Sequence, residues 1–127
     1  MKKYYFDINT SKFIREFNSR CKEHNNDVSH TYGTLEDEIE RCIPIFLKQI
    51  LLHDFDYRNF RIVDIDPDIM DSLLASVDTD KIRSMLEEDF DILPILVSYS
   101  VDLLDGKIML ELEDSIDNHN RIKYDAD

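Results

Sequence analysis

The densest set of residues able to do chemistry lies at Asp64-Ile65-Asp66-Pro67-Asp68, with Asp71 following. Asp-x-Asp-x-Asp opens like a calcium loop, which gathers oxygen ligands at alternate positions. The remainder of that loop is not there. Ile69 stands where glycine makes the sharp turn, and Ala75 where a bidentate Glu closes the site. A divalent-metal hydrolase could instead pair Asp64 or Asp66 with Glu111 or Glu113 on a neighbouring strand. No lysine or histidine is spaced to complete such a site, and an acidic nuclease would repel its own substrate. Helix capping and solvation account for these aspartates. A metal-dependent hydrolase is the weakest reading, and no metal or other cofactor is expected.

Cys21 and His24 have Cys-x-x-His spacing, with Cys42 and His53 as distant companions. Zinc sites use tighter paired spacings. Both cysteines fall on apolar stripes and read as free thiols in a reducing compartment. The histidines (His24, His30, His53, His119) come with serines but no Gly-x-Ser-x-Gly elbow. Two glycines cannot build a phosphate or dinucleotide loop. Tyr4, Tyr5 and Phe6 would suit base stacking, but the charge around them is not basic enough to hold a nucleic-acid strand. The expectation is a protein that is not an enzyme.

Charge is the more informative signal. The net charge is −13, and residues 1–53 contribute none of it, with 8 acids against 8 bases. Residues 54–127 hold 20 acids and 7 bases. Such a chain is repelled by nucleic acid and anionic membranes and drawn to basic surfaces.

The elements that must position these acids follow from hydrophobic period and capping residues. Residues 2–8 read as a strand, and Phe13, Ile14, Phe17 and Cys21 place a helix over 11–24. Thr34 is a suitable N-cap for a second helix over 34–54, whose apolar stripe runs from Leu35 to Leu51 through Pro44. A proline there removes one helical hydrogen bond and predicts a kink. Ile45 and Leu52 fall outside that stripe and could meet a partner. Residues 60–65 read as a strand. Asp66-Pro67 opens a short helix with Ile69, Met70, Leu73, Leu74 and Val77 inward. Asp78-Thr79-Asp80 caps another, with Ile82, Met85, Leu86 and Phe90 inward.

The strongest local signal is a hairpin over residues 93–113. Asp105-Gly106 suits a two-residue turn with positive φ at both positions. That turn pairs Leu104 with Lys107, Leu103 with Ile108, Val101 with Leu110 and Tyr99 with Leu112. Those last six residues share one apolar face. The order β-α-α-β-α-α-β-β predicts an α+β fold. The expected architecture is one four-stranded, mostly antiparallel sheet with helices mainly on one face. Residues 1–127 read as a single domain, with 114–127 as a polar, flexible tail. The N-terminus does not read as a signal peptide, and no apolar run is long enough to cross a bilayer.

With the apolar residues inward, Asp68, Asp71, Asp80, Glu87, Glu88 and Asp91 should face solvent, with Asp78, Asp102, Glu111 and Glu113 nearby in topology. A rigid acidic domain can occupy a groove that otherwise holds phosphates. That is the logic of nucleic-acid mimics, immunity proteins and anti-CRISPR inhibitors, although no diagnostic motif of those families is present. The leading expectation is therefore a small cytoplasmic inhibitor of a basic nucleic-acid-handling protein, such as a nuclease. It would touch neither nucleic acid nor membrane directly. The alternative is an adaptor or assembly subunit using the apolar helix 34–54 around Ile45 and Leu52, for which a homodimer is one arrangement.

Overall fold

The computed structural model describes residues 1–23, 32–59 and 65–115. The chain is α+β. Strand β1 (Lys2–Asp7) leads to α1 (Thr10–Glu23) and α2 (Tyr32–Leu51). After one turn of 3-10 helix at Tyr57–Asn59 come α3 (Pro67–Ser76), α4 (Thr79–Asp89), β2 (Ile95–Asp102) and β3 (Lys107–Glu113). The described strands form one antiparallel sheet in the order β1-β3-β2, so the first strand lies beside the last. The expected further strand over 60–65 lies, apart from Ile65, outside the described residues, as do residues 116–127 of the expected tail.

Each of three helices starts where its sequence supplies a cap. The Asn9 side chain accepts the Lys12 N–H at 3.0 Å and opens α1. Asp66 accepts the Asp68 N–H ahead of Pro67, and Asp78 accepts the Lys81 N–H ahead of α4. Thr34 does not cap α2, which begins before it at Tyr32. Pro44 does not split α2, which is one helix from Tyr32 to Leu51.

The sheet has one covered face. Tyr4, Phe6, Val101, Ile108, Leu110 and Leu112 are buried, and Lys3, Tyr5 and Asp7 beside them are exposed. Against the covered face lie Phe13 and Phe17 of α1 and a run along α2 that includes Ile39, Ile43 and Phe46. Ile69, Met70 and Leu73 of α3 and Ile82 and Leu86 of α4 complete the core. Burying one such side chain fully contributes about 1.5–3 kcal/mol, so this cluster, more than helix propensity, holds the fold.

The hairpin differs from expectation in register. Val101 pairs with Ile108, Tyr99 with Leu110 and Asp102 with Lys107. The turn therefore runs from Leu103 to Gly106, with Gly106 alone among the glycines at positive φ, +64°. The Asp102 carboxylate accepts the Asp105 N–H, and the Thr10 hydroxyl donates to the Leu103 carbonyl, so the loop is tied from inside and out. A register offset of two residues keeps every side chain on its face. Leu103, Val101, Ile108, Leu110 and Leu112 are accordingly buried as expected, with Tyr99 half-buried beside them. Farther from the turn, the register shifts between Leu96 and Ser98, which leaves Val97 as the extra residue of a β-bulge.

One inward assignment fails. Met85 is 37% exposed, because the buried side of α4 is formed by Ile82 and Leu86 alone.

Candidate functional site

The acids at the end of α4 flank a groove of about 390 Å³ between the C-terminal ends of α2 and α4. Its walls include Leu52 and His53 on one side, and Glu87, Asp91 and Ile92 on the other. Leu52 is 38% exposed and Ile92 53% exposed, so the groove offers apolar surface under an acidic rim. Arg83 fixes the distance between the two helices: its Nε donates to the Ile50 carbonyl at 2.8 Å, near the end of α2. The same guanidinium pairs with Asp80 at 3.2 Å.

The structure sorts the sequence-derived acids into separate groups. Glu87, Glu88 and Asp91 are exposed at the α4 end, with Asp80 exposed near the start of that helix and Asp78 engaged as its N-cap. Asp102, Glu111 and Glu113 belong to the hairpin. Glu111 accepts the Ser98 hydroxyl at 3.1 Å, and all three acids lie on the opposite face from buried Val101, Leu110 and Leu112. Among the described residues Asp102 and Glu111 line no groove with α4, whereas Glu113 shares one with Asp89 and Phe90 at the end of that helix. Asp68 is half-buried in the first turn of α3.

Asp71 is the clear correction. It is not a solvated acid. Its side chain is 20% exposed and ion-paired with Arg20 at 3.3 Å and Arg58 at 3.4 Å. The Tyr57 hydroxyl donates to the same carboxylate. Burial raises its pKa above the ordinary value, with Arg20 opposing and Asp56 adding to the rise. Tyr57 and Arg58 come from the 3-10 turn, whose approach to α3 no local spacing could announce.

Asp89, absent from the sequence-derived set, joins α4 to β1. It accepts the Tyr4 hydroxyl at 2.6 Å and pairs with Lys2 at 3.6 Å. The Tyr4 hydroxyl and then Lys2 hold its carboxyl below the usual range, against the opposing effect of desolvation. Burial and the Asp89 carboxylate raise the Tyr4 pKa.

The proposed apolar interface is only half available. Ile45 packs against the core, while Leu52 lies exposed at the groove. The pair therefore does not present a shared stripe, because the sheet and α3 both claim the flanks of α2. Cys42 is a free thiol with no exposed surface, and burial pushes its pKa up to about 12. It is held as a neutral thiol and is no thiolate ligand at neutral pH. Asp64, His24, His30 and His119 lie outside the described residues, and nothing is described of the Cys21 side chain. Among the described residues no three His, Cys, Asp or Glu side chains are grouped to hold a metal ion. No described helix is long and apolar enough to cross a membrane.

No protein-family model matches this chain, and no curated protein or solved structure matches it either.

Proposed function

We propose that the chain is a small acidic, non-enzymatic protein that binds and inhibits a basic nucleic-acid-handling protein. The observation that carries this reading is the groove that brings Leu52 and Ile92 together with Glu87 and Asp91, with Glu88 exposed beside them. A lysine or arginine from a phosphate-binding surface would place its aliphatic stem along Leu52 and Ile92 and its charge against the two carboxylates. The excess of acids over bases in residues 54–127 would speed encounter, and the groove would supply orientation. A cytoplasmic setting suits both the free Cys42 thiol and partners of that kind.

The second reading is an adaptor, favoured by the exposure of Leu52 and Ile92, in which the apolar contact dominates and acidity only maintains solubility. The test is competition. A partner captured at low salt should bind nucleic acid on its own, and the chain should displace that nucleic acid as it is titrated in. A captured partner with no affinity for nucleic acid, or a ternary complex in which both remain bound, sets the inhibitor reading aside in favour of the adaptor.

A further inference from the structure

The two outer strands of the sheet are treated differently. On the β2 side the outward backbone N–H of Val101, and that of Leu103 just beyond the strand, are taken by the Glu40 and Glu36 carboxylates of α2, at 3.2 and 3.0 Å. That edge is closed over part of its length. On the β1 side the one such bond among the described residues lies just beyond the strand, where the Asn9 N–H donates to the Ser76 carbonyl at 2.8 Å, and it leaves Lys2–Asp7 itself without a covering acceptor or donor. The Ile8 N–H donates to the Gly106 carbonyl on the β3 side, so by the antiparallel alternation the even-numbered residues of this segment turn toward β3. Lys3, Tyr5 and Asp7 turn their backbone groups the other way, to the open edge. A groove of about 510 Å³ runs between this strand and α4, with Tyr5 and Asp7 on one wall and Lys81 and Met85 on the other. An uncovered edge bearing an aromatic residue is a template for another strand.

We propose that this edge pairs with the same edge of a second copy of the chain, in a two-fold antiparallel register centred on Tyr5. The occupant follows from charge complementarity. Backbone groups that face outward must meet others that face outward, so odd residues pair with odd residues. Centring the axis on Tyr5 sets Lys3 opposite the second copy's Asp7, and Asp7 opposite the second copy's Lys3. The two Tyr5 rings then meet at the centre. Centring on Tyr4 would set Lys3 against tyrosine, and centring on Phe6 would set Asp7 against tyrosine. Only the Tyr5 axis satisfies both charges and engages all three outward residues.

Tyr5 and Lys3 are available to do this, and Asp7 would share its carboxylate. Tyr5 is 62% exposed, and Lys3 has no carboxylate partner among the described residues. Asp7 is paired with Lys107 of β3 and would lie between two lysines in the dimer. Strand β1 belongs to the charge-balanced half of the chain, and the charged residues that the acidic half brings to this groove, Asp78 and Lys81, are of opposite sign. The paired β1 strands would join two three-stranded sheets into one continuous sheet. An interface of one short strand per copy is at the small end for specific association, so assembly should depend on concentration.

Sedimentation of the full chain over a concentration series up to about 1 mM tests this. The wild type should shift from monomer to dimer. Lys3→Glu and Asp7→Lys, each shown folded by circular dichroism, should weaken self-association by about tenfold or more, since each sets like charges opposite in both halves of the interface. An equimolar mixture of the two variants should dimerise again, because positions 3 and 7 are both acidic in one variant and both basic in the other. A wild type that stays monomeric throughout overturns the proposal, whatever else covers the edge. So do single variants that dimerise as tightly as wild type, or a mixture that does not recover. If a charge variant does not fold, Tyr5→Cys in a Cys21→Ser background reads the register directly. Oxidation should link position 5 to position 5 across the dimer, and Lys3→Cys should not link to itself. Equal cross-linking at both positions, or none at either, contradicts the register.

Discussion

Glu36 of α2 accepts the backbone N–H of Leu103 through its carboxylate at 3.0 Å, across 67 positions of sequence. One helical turn on, Glu40 does the same for Val101 at 3.2 Å. These two acids serve as backbone acceptors that hold the hairpin to the long helix. Hydrogen bonds to charged groups contribute about 1.5–3 kcal/mol each when well shielded, and half-exposed groups such as these fall toward the lower end. Glu36→Ala with Glu40→Ala should therefore lower stability by about 2–3 kcal/mol in urea unfolding. A loss no larger than that of an exposed site such as Asp37→Ala would mean the contacts do not hold the edge.

Gly106 sits at φ +64°, and a methyl group built on it would come within 2.9 Å of the Ile8 carbonyl oxygen. Left-handed backbone alone costs a non-glycine residue about 1–2 kcal/mol. The Ile8 carbonyl cannot retreat freely, because the Ile8 N–H is bonded to the Gly106 carbonyl at 2.9 Å. Gly106→Ala should cost more than that backbone strain alone, and Gly106→Val more again. A neutral Gly106→Ala in denaturant unfolding would contradict this loop geometry.

The Cys42 thiol, buried and with its pKa pushed up to about 12, should resist alkylation in the folded protein near neutral pH and react once the chain is unfolded. Mass spectrometry of the peptide carrying Cys42 after timed iodoacetamide treatment checks it. Labelling of the native protein as fast as of the denatured chain would show that the core between α2 and α3 opens readily.

Three aspartates should titrate on different sides of their ordinary value of 3.8. Lys107 lowers Asp7, Tyr4 lowers Asp89, and burial raises Asp71. The two lowered groups contribute stability above their unfolded-state value and lose it as pH falls through their folded values. Asp71 has the opposite sign: as pH falls from its folded value toward its unfolded one, the folded state takes up the proton first and gains relative stability. Carboxyl NMR should show Asp71 protonating before Asp7 and Asp89 as acid is added. The reverse order would contradict the burial of Asp71.

What the sequence revealed, and what it hid, follow one physical division. Asp66-Pro67 and Asp78 were legible as helix starts because a cap bonds within its own turn, at 2.9 and 3.1 Å here. The hairpin was legible in its faces but not in its register, because slipping by two preserves the alternation of side chains. Leu103 enters the turn through its bonds to Glu36 and Thr10, both remote in sequence. The same remoteness explains Asp71, whose solvent exposure was expected from α3 alone but whose partners come from α1 and the 3-10 turn. Of the candidate site, the exposure of Glu87, Glu88 and Asp91 was readable from the helical period. Their meeting with Leu52 at one groove was not, since it depends on how α2 and α4 end beside each other.

The most direct test of the acidic groove is the affinity of a Glu87→Lys, Glu88→Lys, Asp91→Lys triple variant for the partner captured by wild type, measured at low and high salt. All three residues are exposed, so each should move stability by about 0.5 kcal/mol or less, which circular dichroism can check. Glu36 and Glu40 cannot serve as charge controls, because both bond to the hairpin. Asp37→Lys with Asp105→Lys can, since both are exposed and neither lines the groove. The account predicts that wild type binds steeply more weakly as salt rises, that the control behaves like wild type, and that the triple variant fails to bind at either salt. Normal binding by the folded triple variant, together with loss of binding in Leu52→Asp, would contradict it.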